Sequence, residues 1–466
     1  MGNRNKELLK NTMILLIGQF VPKIMALIIL PILTGCLTKT EYGLYDLTLT
    51  VASFCIPLIS VQIQQAVFRY LIEKEYNRKK IISSSLVFII FMYTAFSLLI
   101  IVAWYIYTRN ILLATLFMIS YIFEAFLSWG GQVARGLGHN INYSMAYAIY
   151  SIAFVVFLGV RYLIENKINL EYVIFVMILS YAVSISYLLF SCHIMKFVSI
   201  SQVDFQSIKK MLTFSGPMVI SSVALWIVNL SDRFCVSAFL GLEINAIYAV
   251  ANKIPNLVNS FYSVFNLAWT ENTSRLTKSE KESGYYTEIF NRFYMLLIGM
   301  ILCFITITPF LFKILINSQY EEAYGLMSWL YVGVLFNSLA SFLGAIYVGE
   351  KKTKEVGISS IIGAIINLGI NLLFMKRFGV LVTAISTIIS YFAILLYRVI
   401  DIKKYVPIKY YKSNIVIGIT MAIFIAILNY SFRWTTTIIS VIITLAFNLI
   451  FNRKVIIDMM RKMKRN

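Results

Sequence analysis

Apolar runs of roughly twenty residues, each long enough to cross a bilayer, alternate with short polar breaks along the chain. About fourteen spans are predicted, near residues 11–34, 44–67, 81–104, 111–131, 143–163, 172–193, 211–232, 245–270, 293–315, 326–348, 356–375, 380–400, 413–431 and 434–451. No connecting stretch is long enough to bury a core of its own. The fold class expected is an all-α polytopic membrane protein whose function lies between its helices. The first span follows Arg4, Lys6 and Lys10 and lacks a small-x-small cleavage site, so it is read as a retained helix.

Two spans interrupt the apolar pattern in a regular way. In 245–270, Asn245, Tyr248, Asn252, Asn256, Asn259, Ser263 and Asn266 recur at gaps of 3 or 4. That spacing lays them on one helix face, with Lys253 and Ser260 on its flank. In 211–232, Ser215, Ser222, Trp226, Asn229 and Arg233 keep the same period. Unsatisfied amides in hydrocarbon cost several kcal/mol per group, so each stripe must face protein or water. One stripe alone fits interhelical glue as well as it fits a cavity wall.

A counterpart near the N-terminus changes that balance. A shift of 203 residues sets LTKTEYGLY (37–45) on LGLEINAIY (240–248) and pairs Tyr45 with Tyr248. The same shift carries Thr12, Gln19 and Lys23 onto Ser215, Ser222 and Trp226. It also carries Thr50, Ser53, Pro57 and Ser60 onto Lys253, Asn256, Ser260 and Ser263. Identity is weak, so chance similarity and an internal repeat both stand. A repeat would give two parallel, pseudo-symmetric lobes of about six helices with a substrate site between them. The domain division expected is then 1–205 for helices 1–6, 206–405 for helices 7–12, and 406–466 for two C-terminal helices and a basic tail.

Composition agrees with the class. Of 466 residues, 59% are hydrophobic and 13% charged, against about 25% charged in soluble domains. The net charge of +20 sits in short clusters, including 69–80, 196–210, 275–292, 351–354, 398–412 and 453–465. The positive-inside pattern puts these clusters and both termini in the cytoplasm, so no nucleic-acid partner is needed to explain the charge. Cys36, Cys55, Cys192, Cys235 and Cys303 form no C-x-x-C, and His139 and His193 are the only histidines. Neither a metal site nor a catalytic constellation is expected.

Charges inside the spans are the candidate chemistry. Lys23 lies near the middle of the first span, where a lysine in lipid costs roughly 2.5–3.5 kcal/mol or more, so it should face a partner or a wet cavity. Lys253 lies in the eighth span. Arg233 adjoins Asp232 and is either one half of a local pair, an interfacial anchor or a ligand contact. Glu124, in IFEAFLSW, is either salt-bridged to a base such as Lys23 or an ion-coupling group. Asp46 and Arg69 stand near opposite ends of the second span. On the cavity helices bases match or exceed acids, which suits an anionic head group bearing sugars. Lysine would contact phosphate, and Asn, Ser and Tyr would contact hydroxyls.

The stretches LTKTEYGLYDL, KKMLTFSGPM, DRFCVSAFLGLEINAIYAVANKI and the run from YEEAYGLMSWLYVG to FGVLVTAIST carry a family likeness. Across about residues 10–400 the chain resembles the Wzx-type polysaccharide flippases of the multidrug/oligosaccharidyl-lipid/polysaccharide (MOP) exporter superfamily. The resemblance implies two six-helix lobes in a MATE-like V shape, plus two C-terminal helices. It implies flipping of an undecaprenyl-diphosphate-linked oligosaccharide repeat unit across the bacterial cytoplasmic membrane by alternating access, for O-antigen, capsule or exopolysaccharide. Lys23, Lys253 and Arg233 are the positions that match the family's basic cavity, with Gln19, Asn252, Asn256, Asn259 and Tyr248 beside them for sugar and diphosphate. The related lipid II flippases crowd arginines into spans 1 and 2, which this chain does not. Coupling to a Na⁺ or H⁺ gradient, common in the superfamily, would fall on Glu124, Asp46 or Asp232; no other cofactor is implied. Membrane lipid and a polysaccharide polymerase or ligase are the partners expected. The rival readings are an ion-coupled multidrug exporter, which would favour acids for cationic drugs, and a membrane-embedded polymerase, which would need a large outer loop or paired carboxylates.

Overall fold

The computed structural model describes residues 18, 20–73, 76–165, 167–275, 284–429 and 433–453. Among them every regular element is a helix and no strand occurs. Ten helices are long and apolar enough to cross a bilayer, and two shorter apolar helices, Phe20–Cys36 and Lys412–Leu428, accompany them. The chain divides into two compact units, 1–226 and 227–466, with the boundary inside one long helix.

The first unit holds α1 (Phe20–Cys36), α2 (Lys39–Ile59), α3 (Ile63–Ile72), α4 (Arg78–Thr108), α5 (Ile111–Gly136), α6 (Asn140–Glu165) and α7 (Leu170–Ser191). It also holds the first part of α8 (Phe205–Phe239). Helix starts are set by short polar side chains that accept from otherwise unpaired amides. Thr38 and Glu41 form a capping box at α2. Asn110 accepts from the Leu113 amide at 3.1 Å, Asn169 from Tyr172 at 3.1 Å, and Asp204 from Ser207 at 3.1 Å. Helix α5 is the centre, packed against α3, α4 and α7. Two of its polar side chains bond across helices: Tyr121 donates to the Thr48 carbonyl at 3.0 Å, and Trp129 Nε1 to Ser85 Oγ at 3.0 Å. Helix α4, by contrast, buries only 17% of its most apolar window. Phe91, Leu98 and Leu99 point outward from it, as lipid-facing side chains should.

The second unit continues with α9 (Leu242–Lys253), α10 (Pro255–Arg275), α11 (Tyr285–Leu315), α12 (Glu322–Gly349), α13 (Thr353–Phe378), α14 (Leu381–Asp401), α15 (Lys412–Leu428) and α16 (Trp434–Phe451). Here α12 is the hub, 67% buried in its apolar window and packed against α9, α10, α11 and α14. Three points fasten it to α10. Trp269 Nε1 donates to the Phe342 carbonyl at 3.1 Å, and Thr273 Oγ1 to the Ala345 carbonyl at 3.0 Å. One turn further, a Cβ on Gly349 would stand 2.7 Å from the Thr273 carbonyl oxygen, so only glycine allows this approach. Buried Arg398 of α14 ties in α12 and α13, donating to the Ala340 carbonyl at 2.6 Å and to Ser359 Oγ at 2.9 Å.

Two of the spans expected to be single helices, 44–67 and 245–270, are each broken in two. The span at 44–67 is split between α2 and α3, with Val61 and Gln62 in left-handed backbone at φ 47° and 55°. Pro57 already removes one donor from the last turn of α2. The span at 245–270 is split between α9 and α10 at Ile254, because Pro255 has no N–H to continue the ladder and suits the first position of a new helix. Under the 203-residue shift the two breaks do not superimpose, since Gln62 falls on Phe265.

Candidate functional site

In the second unit a cavity of about 210 Å³ opens where α8, α9, α10, α12 and α14 meet. The stripe on α9 and α10 forms one wall: Tyr248, Asn252, Asn256 and Asn259 all line it. Asn229, Asp232 and Arg233 of α8 form a second wall, and Asn337, Thr387 and Tyr391 face them from α12 and α14. Within the first wall Asn259 Nδ2 donates to Asn256 Oδ1 at 3.0 Å and Asn252 Nδ2 to the Tyr248 carbonyl at 2.8 Å, while Tyr391 joins two walls by donating to Asn229 Oδ1 at 3.0 Å.

Asp232 is the centre of a buried network, at 5% exposure. Its Oδ2 accepts from the Tyr248 hydroxyl at 3.0 Å and the Thr387 hydroxyl at 2.9 Å, and its Oδ1 accepts from Asn371 Nδ2 at 2.5 Å. Behind this ring, Asn371 Nδ2 reaches Asn367 Oδ1 at 3.2 Å, and Ser386 Oγ donates to Asn371 Oδ1 at 3.0 Å. Three donors from three helices offset the cost of burying a carboxylate. Among the described residues, no group of three or more His, Cys, Asp or Glu could hold a metal ion.

The first unit has a separate polar cavity of about 400 Å³, lined by Ser53, Gln62, Gln64, Gln65, Glu124, Ser128 and three tyrosines, Tyr147, Tyr150 and Tyr181. The rings of Tyr150 and Tyr181 stack at 4.3 Å and 7°. Glu124 and Tyr181 stand together in this lining.

The sequence-derived residues are therefore distributed as follows. Arg233, Tyr248, Asn252, Asn256, Asn259 and Asp232 converge on the second-unit cavity, and Glu124 lines the first-unit cavity. Lys253 is half-buried in the last turn of α9 and is not among the side chains lining the cavity beside it. Lys23 is half-buried on α1, and Asp46 is buried within α2. Gln19 lies outside the described residues. Sequence reasoning missed Asn337, Asn371, Thr387 and Tyr391, although Asn371 follows Asn367 by four residues and Thr387 stands four after Thr383 and four before Tyr391, a helical spacing that could have marked both faces. It also missed Tyr147, Tyr150 and Tyr181, which read as ordinary span aromatics.

Solved structures share this helical arrangement. The lipid II flippase MurJ, in an inward closed conformation, matches with a TM-score of 0.69 at 15% identity over 97% of this chain and 100% of that one. A multidrug resistance MATE transporter of the MOP superfamily, inward-facing, matches with a TM-score of 0.65 at 12% identity over 83% and 98%. A MOP superfamily transporter from Pyrococcus furiosus, described by a reversed polarity of its binding pocket, matches with a TM-score of 0.59 at 14% identity over 86% and 96%. The fold is thus that of the MOP-superfamily transporters, a multi-pass membrane architecture. Residues 8–270, more than half of the chain, match the polysaccharide biosynthesis protein family, and the chain belongs to that family. No curated protein matches the sequence.

Proposed function

We propose that the chain is a flippase for undecaprenyl-diphosphate-linked oligosaccharide repeat units, working by alternating access in the bacterial cytoplasmic membrane with both termini inside. Two six-helix lobes, 1–205 and 206–405, would move against each other, with 406–466 as an appendage. The observation that carries the reading is the amide-rich cavity of the second unit, where Arg233 stands among Asn252, Asn256 and Asn259. A guanidinium pairs with a diphosphate oxygen, and amides serve hydroxyls as both donors and acceptors. Lys253 beside this cavity and Lys23 on α1 would add cationic contacts along the path. The prenyl tail stays in lipid, and a polymerase or ligase would take the delivered unit.

Asp232 is the residue proposed to couple transport to a Na⁺ or H⁺ gradient, with Glu124 and Asp46 as lesser alternatives. Asp232 and Thr387 supply oxygens side by side. Exchanging N and O of the Asn371 amide, which now donates to Asp232, would turn a third oxygen toward them. Such an all-oxygen set suits a hard monovalent cation.

Complementation tests the reading. In cells lacking their own flippase but supplied with the cognate sugar pathway, wild type should restore surface glycan. Arg233→Gln, Lys23→Ala and Lys253→Ala at matched abundance should not. Restoration by all three variants would remove the cationic path while leaving transport. Failure of wild type, with the glycan confirmed on its carrier and with resistance gained to cationic drugs, would favour a multidrug exporter.

A further inference from the structure

We propose that the polar cavity of the first unit is a binding subsite for the sugar rings of the carried ligand, distinct from the groups that hold its diphosphate. The proposal rests on the flippase reading above and divides the ligand's chemistry between two places.

The lining chemistry excludes the diphosphate. Among the described residues around this cavity there is no Lys, Arg or His, and Glu124 stands within it. A buried diphosphate would find no counter-charge in this lining, and Glu124 supplies none. Size argues against a lone ion, because about 400 Å³ lies in the range of small-molecule pockets, roughly 300–1,000 Å³. A neutral, hydroxyl-rich ring fits both constraints.

The second observation is an acceptor held ready. Gln64 is 5% exposed, and its Oε1 has no hydrogen-bond partner. Its orientation is set by a chain of amides: Gln64 Nε2 donates to Gln62 Oε1 at 3.4 Å, and Gln62 Nε2 donates to Ser222 Oγ at 2.7 Å. Both donors of the chain are directed away, so the Gln64 oxygen is what remains. The left-handed backbone at Val61 and Gln62 makes this possible, because it ends α2 and starts α3 at the cavity wall. Leaving a buried acceptor unmet is unfavourable; the oxygen is enclosed in the cavity wall, and a turn of the Gln64 amide would bring it to a ligand hydroxyl. Opposite, the stacked Tyr150 and Tyr181 present a rigid apolar surface with polar tips. Such a slab gives contact area to a ring at little entropic cost. Glu124, in the same lining, has carboxyl oxygens that can accept from ligand hydroxyls.

The test compares two probes on the purified full chain in lipid nanodiscs. One is the lipid-linked oligosaccharide extracted from the cells that carry this protein; the other is undecaprenyl diphosphate without sugar. Wild type should bind the glycosylated lipid at least about tenfold more tightly, a preference two or more well-placed hydrogen bonds can supply. Gln64→Leu and Glu124→Gln should each bring that ratio close to one while leaving affinity for the bare lipid unchanged. Gln64→Leu keeps the test decisive if Glu124→Gln fails to fold. Wild-type preference that survives Gln64→Leu overturns the proposal. So does an equal loss of both affinities, or a Glu124→Gln protein that keeps its sugar preference and loses only its dependence on Na⁺ or pH. Wild type that binds neither lipid sinks the flippase reading itself and the subsite with it.

Discussion

The bond between Tyr248 and Asp232 gives the sharpest test of the second-unit site, because it joins two helices deep in the protein at a measurable energy. Both side chains are buried, at 4% and 5% exposure, and the hydroxyl lies 3.0 Å from Oδ2. A hydrogen bond to a charged acceptor is worth about 1.5–3 kcal/mol in water-soluble proteins. Between membrane helices, measured couplings average about 0.6 kcal/mol and reach about 1.7, because the unfolded chain in the membrane also finds partners. The Thr387 hydroxyl shares the same oxygen at 2.9 Å and partly compensates any loss. A coupling of about 1 kcal/mol is therefore expected for the pair. The cycle comprises wild type, Tyr248→Phe, Asp232→Asn and the double variant, with unfolding in mixed micelles followed by tryptophan fluorescence on SDS titration. Tyr248→Phe should cost about 1–1.5 kcal/mol in wild type and about a third of that in the Asp232→Asn background. Tyr248→Phe combined with Asn448→Ala, in a distant part of the unit, should be additive. A coupling below about 0.3 kcal/mol for the Tyr248–Asp232 pair would refute the network as described, since that is the scatter of independent sites.

Three further outcomes concern packing and capping. Gly349→Ala should lower stability by about 1–3 kcal/mol, read as a lower midpoint in a thermal size-exclusion assay, because the added methyl group meets the Thr273 carbonyl. Arg398→Lys should cost more than Arg398→Met in the same assay, by roughly 1–2 kcal/mol, because one ammonium cannot replace a fork that bonds Ala340 and Ser359 together yet keeps a buried charge. At the start of α8 the Ser207 hydroxyl, with the amides of Gln206 and Ser207, holds the half-buried Asp204 carboxyl below the usual carboxylate range. Its capping contribution is therefore complete above the ordinary Asp pKa and lost only as pH falls through the lowered one. Asp204→Ala should destabilise at neutral pH and match wild type in strong acid, as pH-dependent melting would report.

The class of fold and one wall of the site were legible because both follow from periodicity. Spans declare themselves by length, and Tyr248, Asn252, Asn256 and Asn259 share a face by their 3–4 spacing whatever packs against it. The facing residues also carried a period, Asn367 with Asn371 and Thr383 with Thr387, but spacing does not say which neighbour a face meets, and only the tertiary arrangement brings Asn371 and Thr387 to Asp232. The tie between Asp232 and Tyr248 was not legible either, because it joins two helices whose contact spacing does not show. The split of the second span was hidden because no glycine marks the left-handed turn at Val61 and Gln62, whereas Pro255 was a visible signal for the other break.

The joint at Ile254 and Pro255 has a mechanical side. Beyond it α10 runs 21 residues without interruption, a rod about 31 Å long at 1.5 Å per residue. Turning such a rod by about 10° at its base sweeps the far end through about 5 Å, one helical pitch. In such a turn Asn256 and Asn259, beside the pivot, would scarcely move, while Trp269 and Thr273, clasped to α12, would travel with the tip. The flippase proposed above would thereby keep its polar cargo at the fulcrum while packed helices shift at the other end.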